Sequence, residues 1–286
     1  MQSALIWVIG EALIDLLPGE IPIVGGGPAN TAKALSNLGI NTSFVGGISA
    51  DNYGKMIESE LNSFDVDLRS VNRSALPTAV AKVLIDDAGF ATYQFNLGET
   101  ATFDFGEWLP QGTPKVLHIG SLATVVEPGA TRLFGWARQL NSVIVYDPNV
   151  RSTVLPDRGK YRRYFEKWAH ISTVVKLSED DLEFLGISIE DVFKLGAQLV
   201  VLTHGERGLS GFRSEEEVFV PGIKVNVVDT VGAGDTVGAV IVEGLVRYGE
   251  LKGEKLRLVL ERAAKAAAIT CTRAGARPPT LEELGA

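Results

Sequence analysis

The sequence predicts an α/β protein whose mostly parallel, buried sheet carries helices on both faces, with a small antiparallel flap outside it. Three observations carry this expectation. Short apolar runs alternate with amphipathic ones along most of the 286 residues, which is the pattern of repeated strand–helix–strand crossovers. Hydrophobic residues make up 45% and charged residues 22%, so a chain of this length can bury a sizeable core. Between about 79 and 96 the rhythm changes: "AVAKVLID" and "ATYQFNL" read as two strands joined by Asp86, Asp87, Ala88 and Gly89, a hairpin inserted into the α/β chain.

Taken in order, "ALIWVIG" is a first strand, and "PANTAKALSNLG" is a helix opened by Pro28 at a position where proline loses no hydrogen bond. "SFVGGI" precedes the amphipathic "YGKMIESELNSF", and "KVLHIG" precedes "GATRLFGWARQL". "SVIVYD", "STVVKLS" and "LVVLTHG" continue as strands, each with a helical pattern after it. "VFVPGIKVNVV" reads as strands leading into "DTVGAGDT" (229–236), and the apolar run "VGAVIVEGLVRYG" behind it reads as a long helix. The expectation is one domain over 1–286, with a flap built from about 11–24 and 79–103. Neither low-complexity segments nor repeats of 20–50 residues interrupt it.

Composition excludes several functions. The net charge of -8, without a basic cluster, argues against nucleic acid or an anionic membrane as partner. One cysteine, Cys271, excludes an internal disulfide framework or a CxxC zinc site and reads as a small buried hydrophobe. "ALIWVIG" lacks the flanks of a signal peptide, and no apolar run reaches the length of a bilayer span. A cytoplasmic location is therefore expected, and the "NTS" at Asn41 reads as a turn. His118, His170 and His204 show no ligand spacing. "FDFGE" contains a kinase-like DFG but no companion motifs, and neither GxxxxGK[ST] nor GxGxxG after the first strand is present.

Five stretches carry chemistry. In "DTVGAGDT", Gly232, Ala233 and Gly234 leave the amides of 232–235 free to converge on an anion at a helix start, with Asp235 beside them as a base. An aspartate capping the helix would account for the same letters. In "GGGPANTAKALSNLG" the glycines, Gly26 and Gly27 among them, allow a ligand close to the backbone, and Asn30 offers both a donor and an acceptor. Asp15 of "GEALIDLLP" is expected just past the first strand, where parallel sheets bind ligands. "VYDPNVR" gathers Asp147, Asn149 and Arg151 at another strand end, Arg151 suiting a phosphate or a substrate oxygen. In "VVLTHGERG", Thr203, Gly205 and Gly208 form a plausible phosphate edge.

"GGGPANTAKALSNLG" and "DTVGAGDT" together resemble the two signatures of the ribokinase-like (PfkB) carbohydrate kinases. The resemblance runs from "IGEALID" through "TRAGARPP", and "GEALIDLLP", "LHIGSLA" and "YDPNVRSTVLP" are most similar to bacterial fructokinases. It implies a three-layer α/β/α core with a small β lid, and an ATP-dependent sugar kinase. Asp235 is the implied catalytic base and the amides of Gly232 to Asp235 the implied anion hole. Asp15, Gly26, Gly27 and Asn30 are the implied sugar-binding residues, with Arg151 near substrate or phosphate. Thr203, Gly205, Gly208 and Lys176 fall on the nucleotide side. Mg2+ accompanies ATP, with Asp181 of "KLSEDD" as a water-mediated contact, and K+ is expected beside the anion hole with Asp229 as ligand. The resemblance also implies a homodimer.

Two departures stand out. Only nine residues, "LLPGEIPIV", separate Asp15 from Gly25, which predicts a smaller lid. Residues 93–103 lack the Arg and the "AD" of a typical fructokinase. Fructose is the expected sugar. A 2-keto-3-deoxygluconate kinase, another pentose or hexose kinase, a nucleoside kinase using Phe90, Tyr93 and Phe95 as an aromatic wall, and an idle sugar-binding relative stay open as alternatives.

Overall fold

The computed structural model describes residues 6–85 and 91–285. In chain order the elements are β1 (Ile6–Ile9), β2 (Leu13–Leu17), β3 (Ile21–Gly25), α1 (Gly27–Asn37), β4 (Thr42–Val45), β5 (Gly47–Ser49) and α2 (Asn52–Ser63). They continue with β6 (Asn72–Ser74), β7 (Val80–Ile85), β8 (Ala91–Asn96), β9 (Val116–Gly120), α3 (Gly129–Ala137), β10 (Val143–Asp147) and α4 (Arg158–His170). The remainder are β11 (Val174–Ser178), α5 (Glu179–Leu185), α6 (Ile189–Leu195), β12 (Leu199–Thr203), β13 (Gly208–Arg213), β14 (Glu216–Pro221), α7 (Ala233–Tyr248), α8 (Glu254–Cys271) and α9 (Leu281–Leu284).

The main sheet has eight strands in the order β14-β13-β12-β11-β10-β9-β1-β4. From β12 to β4 every pairing is parallel, and β13 and β14 extend the other edge antiparallel. Alternate residues of each strand feed opposite layers, because successive side chains point to opposite faces. Ile6, Val8, Val116, Val145, Val174 and Val201 join a core with α1, α2, α7 and α8. Trp7, Ile9, Leu117, Ile144, Tyr146, Val175 and Val200 join a second core with α3, α4, α5 and α6. Helices thus cover both faces of a mostly parallel sheet, as the alternating pattern predicts.

Local chemistry fixes the helix ends. Asp51 accepts from Gly54 N at 2.7 Å to start α2. Ser178 with Asp181 and Ser188 with Asp191 form capping boxes on α5 and α6. At α7 the N-cap is Gly232, at φ 80 and with no side-chain cap. The bare N-cap leaves the helix start open to a ligand.

Several expectations need correction. "LVVLTHG" is followed by a short 3-10 turn (Gly205–Arg207) and then by β13, not by a helix. "VFVPGIKVNVV" is a strand only to Pro221; residues 222–231 run without regular structure, because the ladder with β13 ends where Pro221 pairs Gly208. The flap is a four-stranded sheet, β3-β2-β7-β8, and it is mixed, since β2 pairs β7 in parallel. Residues 97–103 leave it and turn at Ala101–Phe103. Asp15 lies in the middle of β2, opposite Ile23, because the chain leaves the main sheet after Ile9 and enters the small one. Cys271 is half-buried, since it ends α8. Asp86, Asp87, Ala88, Gly89 and Phe90, and the side chain of Tyr93, lie outside what the structure describes. Among the described residues no helix is long and apolar enough to cross a membrane.

The α4 layer is anchored by Phe165, fully buried with its ring centroid 5.9 Å from that of Tyr146. Truncating it removes a large apolar side chain and leaves a cavity. Phe165→Ala is expected to cost about 3–5 kcal/mol of folding stability, read from urea denaturation midpoints.

Candidate active site

The C-terminal edge of the parallel strands assembles the site. Asp147 sits beside Gly120 in the β10–β9 register, and Ser178 beside Thr203 in the β11–β12 register. Above this edge the starts of α1 and α7 meet. A Cβ on Gly10, after β1, would lie 2.4 Å from the Pro28 ring, and one on Gly26 would lie 2.5 Å from the Glu11 carbonyl oxygen. Only glycine permits so close an approach, so α1 starts directly on the sheet edge.

Asp235 stands in the first turn of α7, half-buried, with its Oδ2 accepting from Asn30 Nδ2 at 2.9 Å. A Cβ on Gly27 would lie 3.1 Å from Asp235 Oδ1 and 3.0 Å from Asn149 Nδ2. Gly27, Asn30, Asn149 and Asp235 therefore border one small space. Burial raises the Asp235 carboxyl above its ordinary range, opposed by the Asn30 hydrogen bond and by the charges of Lys176, Arg151 and Lys33. The buried Asn30 Oδ1 and Asp147 Oδ1 have no hydrogen-bond partner in the protein, which leaves acceptors for a hydroxylated ligand.

The backbone at the α7 start divides. Ala233 N donates to the Thr230 carbonyl at 3.2 Å, which narrows the predicted hole. Among the described residues the amides of Gly232, Gly234 and Asp235 have no acceptor within the protein, and free amides at a helix N-terminus attract an anion. Beneath them lies Lys176, buried, with its Nζ 3.1 Å from where a Gly234 Cβ would stand. Burial penalises the Lys176 ammonium, but Asp147, with Oδ2 at 2.8 Å, together with the charges of Asp181 and Asp235 raises its pKa. The alternation of strand residues puts Lys176, Asp147 and His118 on the α7 face of the sheet. Burial, with Lys176 nearby, pushes His118 down to about 3, so it is neutral.

Other predicted residues fall as follows. Asp15 is half-buried in the small sheet, raised by burial to about 6 and partly restrained by the charge of Arg151. Arg151 itself is exposed, and its charge lowers the pKa of both Asp15 and Asp235. A Cβ on Gly25 would meet Asp15 Oδ2 at 2.0 Å, so this glycine makes room for the carboxylate. Thr203 Oγ1 reaches the Leu177 carbonyl at 3.4 Å, and Gly205 is exposed beyond it. Gly208 is buried under β14, where a Cβ would lie 2.1 Å from the Val220 carbonyl oxygen, so its place is set by packing.

The two metal candidates are largely engaged by backbone. Asp181 Oδ1 accepts from Val150 N and Oδ2 from Ser178 N and Oγ. Asp229 Oδ1 accepts from Val231 N and Oδ2 from Gly275 N, tying two loops together. Among the described residues no group of three or more His, Cys, Asp or Glu side chains is placed to hold a metal ion.

The sequence reading missed Glu11, Lys33 and Ser121. Lys33 is buried on α1 against Glu60 at 3.2 Å. Glu11 is buried beside the 120s turn. The available signal was an acid set among apolar letters in "GEALID", and a lysine on the helix face that also carries Asn30.

The pfkB family carbohydrate kinase profile matches residues 23–283. A fructokinase of Rhizobium leguminosarum bv. trifolii is 36% identical over 255 residues, spanning 82% of this chain and 78% of that protein. A fructokinase of Xylella fastidiosa with bound ATP superposes with a TM-score of 0.90 at 24% identity, covering 99% of this chain and 97% of its own. A fructokinase of Vibrio cholerae in its fructose-, ADP- and calcium-bound form gives 0.83 at 24% identity, covering 95% and 94%. With a profile spanning nearly the whole chain and a helix start that presents free amides beside a half-buried carboxylate, the chain belongs to the pfkB family of carbohydrate kinases.

Proposed function

We propose that this protein transfers the γ-phosphoryl group of ATP to a hydroxyl of fructose, giving fructose 6-phosphate. The observation that carries the reading is the pairing of Asp235 with the unbonded amides of Gly232, Gly234 and Asp235 at the start of α7. A carboxylate beside an anion site is repelled by the anion unless it has other work, and taking the proton of the attacking hydroxyl is that work. Its raised pKa moves it toward the operating pH of a general base.

In this reading the sugar lies over Gly26 and Gly27. Its hydroxyls bond Asp15, Asn30 Oδ1 and Asn149, and one hydroxyl is presented to Asp235. Arg151 closes on substrate or phosphate from outside. Lys176 holds positive charge beneath the amides, and Thr203 and Gly205 border the nucleotide. Mg2+ neutralises phosphate charge when ATP is bound. The engaged carboxylate of Asp181 suits a contact through water, with ATP supplying most of the ligands. Asp229 and the carbonyls of the two loops it ties offer oxygen ligands to K+. Phosphoryl transfer relies on positioning and charge stabilisation, which these groups supply.

The small sheet acts as a lid that keeps water from the γ-phosphate. Its edge strand β3 exposes Ile21 at 57% and Ile23 at 40%, which favours a homodimer formed lid to lid. The fructokinase of Rhizobium leguminosarum bv. trifolii favours fructose as substrate, and dependence on ATP favours the cytoplasm.

The test is ADP release with ATP and Mg2+ against fructose, ribose, 2-keto-3-deoxygluconate, glucose and adenosine, with and without K+. Fructose is expected to turn over fastest. Asp235→Asn should lose about 10² to 10⁴ in kcat, roughly 3 to 5 kcal/mol of barrier, while fructose binding changes far less. Wild-type kcat in that variant would remove Asp235 from the mechanism.

Asp15 gives a second, independent test. Its ionised form accepts hydrogen bonds from the sugar, and protonation below about 6 removes an acceptor. The KM for fructose should therefore rise as pH falls through that range. Asp15→Asn should start from a higher KM and show a flatter profile, and equal slopes for the two proteins would exclude the role.

A further inference from the structure

Glu11 is a buried acid that the chemistry above does not use. It follows the Gly10 bend after β1, is 1% exposed, and is held chiefly by hydrogen-bond donors. Its Oε2 accepts from Ala123 N at 3.1 Å and its Oε1 from Leu122 N at 3.4 Å, and the nearby Ser121 side chain lowers its pKa. The carboxylate thus gathers the start of the 3-10 turn Ser121–Thr124.

That turn begins in a strained conformation. Ser121 lies at φ 56, in the left-handed region that favours glycine, and is 4% exposed. Such a residue persists only where its surroundings over-determine it. The strain is aimed at the site: Ser121 Cβ is 3.7 Å from where a Gly27 Cβ would stand, in the space that Asp235 Oδ1 and Asn149 Nδ2 also border. The Glu11 carbonyl oxygen in turn abuts Gly26, where a Cβ would lie 2.5 Å from it. One residue therefore ties the 120s turn to the glycine segment at the start of α1.

We propose that Glu11 is a positioning residue for phosphoryl transfer, clamping the Ser121–Thr124 turn so that Ser121 walls the space between Gly27 and Asp235. This rests on the sugar-kinase reading for its catalytic consequence and on the structure alone for the clamp. Burial is costly for a carboxylate, and it pushes Glu11 up to about 7 against the pull of its donors. An amide or apolar residue would fill the place without that cost, so the two-oxygen acceptor is what the position supplies.

The experiment pairs two readouts on Glu11→Gln and Glu11→Ala. Gln keeps one acceptor and sets an NH2 against the other backbone N–H; Ala keeps neither. Amide hydrogen exchange at Leu122 and Ala123 should quicken at least about 10-fold in Gln and more in Ala, with exchange in β1 and β9 unchanged. On fructose, kcat should fall toward ~100-fold in Ala, the scale of a displacement of about 1 Å at a reacting centre. Gln should recover part of that loss, and the KM for ATP should stay within about twofold. Unchanged exchange at Leu122 and Ala123 would overturn the clamp. Wild-type kcat in Glu11→Gln despite faster exchange would overturn the catalytic role, as would a loss matched by faster exchange throughout the sheet. Silence of the wild-type chain on every sugar would sink the kinase reading instead, and faster exchange at the two amides would still uphold the clamp.

Discussion

The hydrogen bond between Asn30 and Asp235, 2.9 Å across 205 residues of sequence, is the contact on which the site depends. It joins the first turns of α1 and α7, and both helices start where they do because glycines let them crowd the sheet edge. Gly10 admits Pro28, Gly26 admits the Glu11 carbonyl, and Gly27 stops short of Asp235. A side chain at any of these places would push one helix start away. The carboxylate would then face water, and its raised pKa, which burial creates, would be lost.

Beneath that contact the sheet contributes charge as well as support. A parallel sheet covered on both faces should present apolar side chains throughout, yet the α7 face carries His118, Asp147 and Lys176. The pattern fits the open helix start above. Free amides and a buried ammonium both favour an anion at the α7 start, and Asp147 makes the ammonium tolerable when no anion is there. His118, neutral and without a partner in the protein, fills the room under Gly238, where a Cβ would lie 3.1 Å from its Nε2.

The two smaller assemblies follow from chain economy. Nine residues after Asp15 suffice for the β2–β3 hairpin, because Pro18 to Glu20 turn the chain directly. The short segment that predicted a reduced lid therefore still supplies two of its four strands. Asp229 spends its carboxylate on Val231 and Gly275, which sets the loop before α7 against the loop after α8. A Cβ on Gly232 would meet that of Ala276 at 2.6 Å. The geometry of the helix start is thus enforced from the C-terminal side too.

The sequence by itself determined the fold class, because the alternation of buried strands with amphipathic helices is a local pattern with a fixed period. It also determined the two motif helices, because Pro28 and the 232–234 glycines are local signals. Asp235 and Asn30 were legible as candidates for the same reason. Tertiary structure alone decided what periodicity cannot carry. Asp15 moved from a strand end to mid-strand because a second sheet captures the chain after Gly10. The second oxygen of Asp181, left free by its local capping box with Ser178, is taken because the turn after Asp147 delivers Val150 N to it. The room at Gly208 is set by β14, which runs back beside it in the ladder. Glu11 stood out only as an acid among apolar letters, and its partners were not legible because they lie more than a hundred residues away. Contacts between distant segments depend on how strands are ordered in the sheet, and no local pattern records that order.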